Sequence, residues 1–302
     1  GSGACKHTSC GLDYDCSDYY EFIINPDVPK LMIEVKELRK SFNGDVEVLK
    51  GITTTFETGK VNLIIGQSGS GKTVFLKSLL NVYEPSSGGI LFDGRDIMNM
   101  SREEKQGLRA EIGTVFQGSA LFDSMTVEEN ISFPLDMFTN LTYREKKRKV
   151  LEVIGRVNLD KANKKFPSEI SGGMQKRVAI ARAIVNNPKY LFCDEPNSGL
   201  DPYTSNVIDD LLLEITREYN TTTIINTHDM NFVMTIGEKI LYLRQGIKEW
   251  EGDKNMLTTA KNKNLIDFVY SSELFKQLRE FMLENDQTSL INDKPKKKKK
   301  TN

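Results

Sequence analysis

The chain has 302 residues, with 41 Lys and Arg against 42 Asp and Glu and a formal net charge of −1. That near balance argues against a general nucleic-acid binder, which carries a basic excess. With 38% hydrophobic and 27% charged residues, the composition fits a globular protein with a real core. No apolar run approaches the roughly 18–20 residues that span a bilayer, and the start shows no signal-peptide pattern, so a cytosolic chain is expected.

Residues 1–30 read as an irregular, flexible extension, rich in Tyr and Asp and broken by Pro26 and Pro29. Cys5, Cys10 and Cys16 crowd this stretch with His7 between them. No second ligand pair follows, so an extension is preferred to a zinc site. From Leu31 the pattern changes. "LMIEVKELRKSF" and "EVLKGITTTFETG" alternate like strands, and "GKVNLIIG" is a short buried strand ending in glycine. "GKTVFLKSLLNVY" then has apolar residues at helical spacing.

A helical insertion is expected over about residues 119–172. Thr126 with Glu129, and Thr142 with Glu145, match the capping-box signature of helix starts. A second strand–helix set follows: "KYLFCDE" as a strand with Cys193 in its core, then a helix opened by Asp201-Pro202, then "TTTIINTH". Val207, Leu211, Leu212 and Ile215 are its expected core stripe. Strands alternating with helices imply a mainly parallel sheet. "KILYLRQGIKEWEG" reads as a closing hairpin, and the main domain as 31–253. Residues 254–302 read as a helical extension ending in a lysine run. Such a run is ordinarily solvated, and such clusters also favour anionic lipid headgroups.

"GQSGSGKT" matches G-x-x-x-x-G-K-[ST] between a predicted strand and a predicted helix. The residues are Gly66, Gln67, Ser68, Gly69, Ser70, Gly71, Lys72 and Thr73, with Val74 next among those expected to hold a nucleotide. Small residues let backbone N–H groups curl around phosphate oxygens, and the helix start adds its positive dipole end. Lys72 is expected at the β- and γ-phosphates, and the Thr73 hydroxyl on Mg²⁺. "YLFCDEP" delivers Asp194 and Glu195 to a strand's C-terminal edge, where open α/β sheets bind ligands. Asp194 suits Mg²⁺ binding, and Glu195 suits a general base or water-orienting group.

In this order the motifs resemble the nucleotide-binding subunit of ABC transporters over about Leu31 to Asp253. The resemblance implies an α/β, P-loop NTPase fold: a RecA-like, mainly parallel sheet with an antiparallel β subdomain and a helical insertion. Ser171-Gly172-Gly173 matches the family's signature, which is expected to cap the γ-phosphate held by a second copy. Gln117 matches the Q-loop glutamine, which senses the γ-phosphate and metal and links to the membrane subunits. "SGLD", ending in Asp201, matches the D-loop, and His228 the switch histidine. Phe42 lies where the family places an aromatic against adenine. The resemblance implies ATP and Mg²⁺ as cofactors and catalysis by Glu195, His228, Lys72 and Gln117. It also implies a homodimer closed around two ATP, beneath a multi-spanning permease on the cytoplasmic face of the inner membrane.

"VFQGSALFDSMTVEENISFPL" and "ISGGMQKRVAIARAI" look like the ATPase of Mla-type lipid transporters, the group linked to MCE proteins, which implies phospholipid as cargo. Ile170, Met174 and Asn197 stand where Leu, Gln and Thr are common, a departure that suits this subfamily. In such proteins helical C-terminal extensions reach the partner protomer, a role that Leu265–Leu283 is expected to fill. The alternatives are another import or export system, or a regulatory ATPase of an envelope complex without a cargo. A DNA-repair or translation protein is disfavoured, because the chain has one phosphate loop and no long coiled coil.

Overall fold

The computed structural model describes residues 32–42, 46–273 and 275–281. The N-terminal Cys/His cluster, the lysine run and part of the Leu265–Leu283 segment lie outside them. Two sheets carry the fold. In the smaller, β1 (Met32–Phe42), β2 (Val46–Glu57), β4 (Ser87–Phe92) and β5 (Arg95–Asp96) pair antiparallel in the order β2-β1-β4-β5. The larger sheet has the order β10-β9-β3-β8-β7-β6. It comprises β3 (Val61–Ile65), β6 (Ile112–Val115), β7 (Tyr190–Asp194), β8 (Thr222–Thr227), β9 (Lys239–Arg244) and β10 (Ile247–Gly252). Its neighbours are parallel except the β9–β10 hairpin.

Every residue of β3, β7 and β8 is buried, as parallel strands covered on both faces must be. Alternate residues serve two cores. Ile64, Phe192 and Ile224 face one that includes Phe75 and Leu79 of α1 (Lys72–Leu79) and Ile33 and Phe56 of the smaller sheet. Leu63, Leu191 and Ile225 face the other, shared with the insertion. Register aligns the strand ends: Ile65 lies beside Thr227, and Asp194 beside Asn226. The phosphate loop, the two carboxylates and His228 therefore leave the sheet along one edge.

After β5, α2 (Arg102–Ala110) is capped by Ser101 and Glu104. The insertion holds α3 (Val127–Phe138) and α4 (Tyr143–Arg156), and both predicted capping boxes form. The chain returns through α5 (Gly172–Ile184), which carries the signature glycines at its head. In α6 (Pro202–Glu218) the core stripe differs by one position from expectation: Ile208 is fully buried and Val207 is 37% exposed. The other three expected members do point inward. α7 (Met230–Ile236) follows β8.

The segment after Asp253 folds back on its own chain. α8 (Lys254–Thr259) and α9 (Lys263–Val269) place Leu257, Leu265, Val269 and Tyr270 in the larger core. Phe268 and Phe275 pack against it. Phe268 and Phe275, which lie in the segment expected to reach a partner protomer, are thus packed within one chain. Leu278 and Phe281 remain exposed.

Candidate nucleotide-binding site

The loop from Gly66 to Thr73 joins β3 to α1. A Cβ on Gly66 would stand 2.2 Å from the Leu243 carbonyl oxygen, so only glycine lets the loop turn against β9. Gly71 caps α1 at φ 103°, a left-handed conformation that side chains disfavour. Lys72 is buried, and its Nζ donates to the carbonyls of Gly66 at 2.7 Å and Gln67 at 3.1 Å. An ammonium has three donors, so one is left for a ligand. Burial lowers the Lys72 pKa, while Glu195 and Asp194 oppose that shift. Ser70 Oγ, also in the loop, is buried without a hydrogen-bond partner.

Asp194 ends β7, and its Oδ1 accepts from Asn226 Nδ2 at 3.1 Å. Glu195 has φ 48°, a conformation that costs a non-glycine residue about 1–2 kcal/mol. Such strain concentrates where a side chain must be aimed. Here it aims the carboxylate at two partners. Oε1 lies 2.8 Å from His228 Nδ1, and Oε2 accepts from Gln117 Nε2 at 3.3 Å. Gln67, Ser68, Gly69, Gly71, Lys72, Thr73 and Val74 line an open cleft of about 760 Å³ with Gln117, Glu195 and His228. Val48 and Phe268 complete its wall.

Ser171, Gly172 and Gly173 do not line this cleft. Ser171 caps α5, its Oγ accepting from the Met174 amide at 3.3 Å, and Ser171 and Gly172 are exposed. Gly173 is packed so closely that a Cβ would meet Thr204 Cγ2 at 2.7 Å. Thr204 is held by Asp201, whose carboxylate accepts from its amide at 3.0 Å and its hydroxyl at 2.6 Å. Signature and D-loop thus form one surface, apart from the chain's own cleft. Phe42 stands apart as well. Its ring meets Tyr83 edge-on at 5.2 Å, with Lys40 Nζ 4.9 Å from its centroid, and it is 36% exposed. It is not among the residues that line the cleft.

Val48, Lys176, Arg182 and Phe268 escaped the sequence reading. Lys176, in the signature helix, is 5% exposed and donates to the Gln117 carbonyl. Its signal was a lysine inside an apolar helix pattern. Phe268 gave none, since its place in the cleft comes from the fold of α9.

Residues 49–198 match the family model described as ABC transporter. The probable ribonucleotide transport ATP-binding protein mkl of Mycobacterium leprae is 40% identical over 78% of this chain and 68% of its own length. Methionine import ATP-binding protein MetN 2 of Oceanobacillus iheyensis is 38% identical, over 73% of this chain and 65% of its own. A bacterial ABC transporter cassette solved as a dimer superposes with a TM-score of 0.68 at 31% identity, covering 74% of this chain and 98% of that one. The cassette cbiO1 from Clostridium perfringens, part of the cbiONQ complex, gives 0.71 at 31% identity, over 84% and 99%.

The chain belongs to the ABC transporter family.

This cassette spans about two thirds of the length of the curated relatives it matches. Its fold is the expected one, with a mainly parallel sheet, an antiparallel sheet and a helical insertion. Its site fits a nucleotide triphosphate with a divalent cation. The loop offers close-approaching backbone and a buried ammonium, and both line the cleft. Among the described residues no cluster of three His, Cys, Asp or Glu side chains is placed to hold a metal. A small hard cation bound through one carboxylate, a hydroxyl and substrate phosphates suits such a site. Asp194 and Thr73 are the residues that would hold it, with Gln117 beside them.

Proposed function

We propose that the chain is the ATP-hydrolysing subunit of an ABC transporter. The observation that supports this best is the convergence of Lys72, Glu195, Gln117 and His228 on one cleft, with the signature surface facing elsewhere. Lys72 neutralises phosphate charge, and the helix start adds its dipole end. Glu195 orients and polarises the attacking water, and His228 holds its Oε1 so that the carboxylate keeps one direction. Gln117 touches the other oxygen and so reports the state of the site. Mg²⁺, when bound, neutralises charge developing on the phosphates.

A signature that does not reach its own cleft is explained by a second copy. Two chains closed head to tail would bring Ser171 and Gly173 of each to the nucleotide of the other. The dimeric cassette among the solved relatives supports that arrangement. A groove of about 260 Å³ lined by Phe116, Phe122, Phe133, Pro134 and Phe138 offers the surface for a permease. No helix of the described residues is long and apolar enough to cross a membrane. On this reading the chain sits on the cytoplasmic face of the inner membrane.

We further propose phospholipid as cargo and an MCE-type component in the assembly. The Mla-like signature with Met174 supports both. Met174 packs against the larger core. The curated relatives are named for ribonucleotide transport and methionine import, and those cargo classes are the competing reading. Glu195→Gln tests the motor: it is expected to lower turnover by at least about 10²-fold and to trap an ATP-bound dimer in ultracentrifugation. A variant that stays monomeric with ATP refutes the scheme. Lipid analysis of the permease complex tests the cargo.

A further inference from the structure

Two cations of the signature helix are aimed at backbone. Lys176 Nζ donates to the carbonyl of Gln117. Arg182 Nη2 donates to the carbonyl of Ser119 at 2.7 Å, and Nη1 to that of Ala120 at 2.7 Å. Two side chains of α5 therefore grip three carbonyls of the turn 117–120. The turn is closed by the Ser119 amide donating to the Phe116 carbonyl at 2.9 Å, and its backbone is strained. Ser119 and Ala120 have φ 61° and 47°, left-handed conformations that non-glycine residues keep only where the surroundings hold them.

Stability is a poor reason for burying Lys176. Replacing buried charge with apolar side chains of similar volume is often neutral or stabilising. Burial lowers the pKa of both cations, and for Lys176 the neighbouring Cys193, Glu195 and Asp194 oppose that shift. The placement has another use. The same helix begins with exposed Ser171 and Gly172, and Lys176 sits less than two turns behind them. At the far side of the clamp, Gln117 Nε2 touches Glu195 at 3.3 Å.

We propose that Lys176 and Arg182 clamp the Gln117 turn to the signature helix, so that a shift of Ser171–Gly173 against a partner's nucleotide is carried to the Gln117–Glu195 contact in the helix's own cleft. This rests on the head-to-tail ATPase dimer proposed above. The two are positioning residues, because neither lines the cleft. The coupling makes each site's turnover depend on the occupancy of the other, so hydrolysis is cooperative in ATP.

The test is steady-state ATPase activity of the full chain, with nucleotide affinity and melting temperature measured alongside. Wild type is expected to show a Hill coefficient near 2, the number of sites. Lys176→Met, which keeps the stem and removes the donor, is expected to lower kcat about tenfold and bring the Hill coefficient towards 1. ATP affinity and melting temperature should be maintained. Lys176→Arg, which keeps donor and charge, is expected to restore cooperativity, and Arg182→Met to repeat the Lys176→Met defect. If Lys176→Met does not fold, Lys176→Gln, too short to reach the carbonyl, serves as the same deletion. The clamp is overturned by a deletion variant with wild-type kcat and Hill coefficient, by a loss that follows melting temperature and is not rescued by arginine, or by a non-cooperative wild type. Absent wild-type hydrolysis, or full activity in Lys72→Ala, instead overturns the ATPase reading itself.

Discussion

Asp209 is a buried carboxyl on α6 whose pKa is raised to about 7. Burial is the main cause, and the carboxylates of Asp229 and Asp210 add to it. Asn197 Nδ2 donates to Asp209 and to Asp229, at 3.4 Å each. Asp229 directly follows the switch histidine, so this cluster ties the segment after Glu195 to the segment after His228. The sign of the pH effect is set by proton binding. Between pH 4 and 7 the folded chain holds a proton that the unfolded chain has lost, so Asp209 makes stability fall as pH rises. At about 1.4 kcal/mol per pH unit, a rise from 3.8 to about 7 costs roughly 4 kcal/mol by pH 8. Asp209→Asn keeps the acceptor for Asn197 and removes the titration. It should therefore exceed wild type by about 1.5 kcal/mol at pH 5 and about 4 kcal/mol at pH 8. In a chain of this size that is about 10 °C in melting temperature at pH 8 and a few degrees at pH 5. Thermal melts of both proteins from pH 5 to pH 8 decide it. A difference that is constant across that range, or a variant less stable than wild type at pH 8, refutes the reasoning.

Lys72→Ala removes the buried ammonium that faces the cleft. ATP affinity, followed by titration of a fluorescent nucleotide, should fall at least about tenfold, and turnover should be lost with it. Deleting residues 254–302 removes Leu257, Leu265, Val269 and Tyr270 from the core. At about 1.5–3 kcal/mol for each large apolar side chain, that approaches the whole stability of a typical domain. The truncated chain should fail to give a cooperative melt. A normal melt from the truncated chain would refute the packing of α8 and α9.

The phosphate loop, Asp194 and Glu195 could be read from local spacing, and His228 only from its place in the family's order of motifs. Each lies at the end of a strand whose apolar run shows in the sequence. The capping boxes at Thr126 and Thr142 were legible for the same reason, since a cap is a contact between residues three apart. β4, β5, β6 and α2 gave weaker signals. Their strands are short, two glycines follow Ser87 at the start of β4, and α2 buries only Leu108.

By itself, the sequence determined the order of the motifs, the alternation that makes the sheet mainly parallel, and the chemistry available along its edge. These follow from neighbours along the chain. Only the tertiary structure decided which residues meet. It brought Gln117 to Glu195 across 78 residues of sequence separation and turned the signature surface away from its own cleft. It placed Phe268 in the wall of that cleft and left Phe42 on Tyr83. It also buried Lys176 and Asp209, whose charges depend on the solvent they lose and the groups they face. Burial and long-range distance are properties of the packed chain, and residue type and spacing do not contain them.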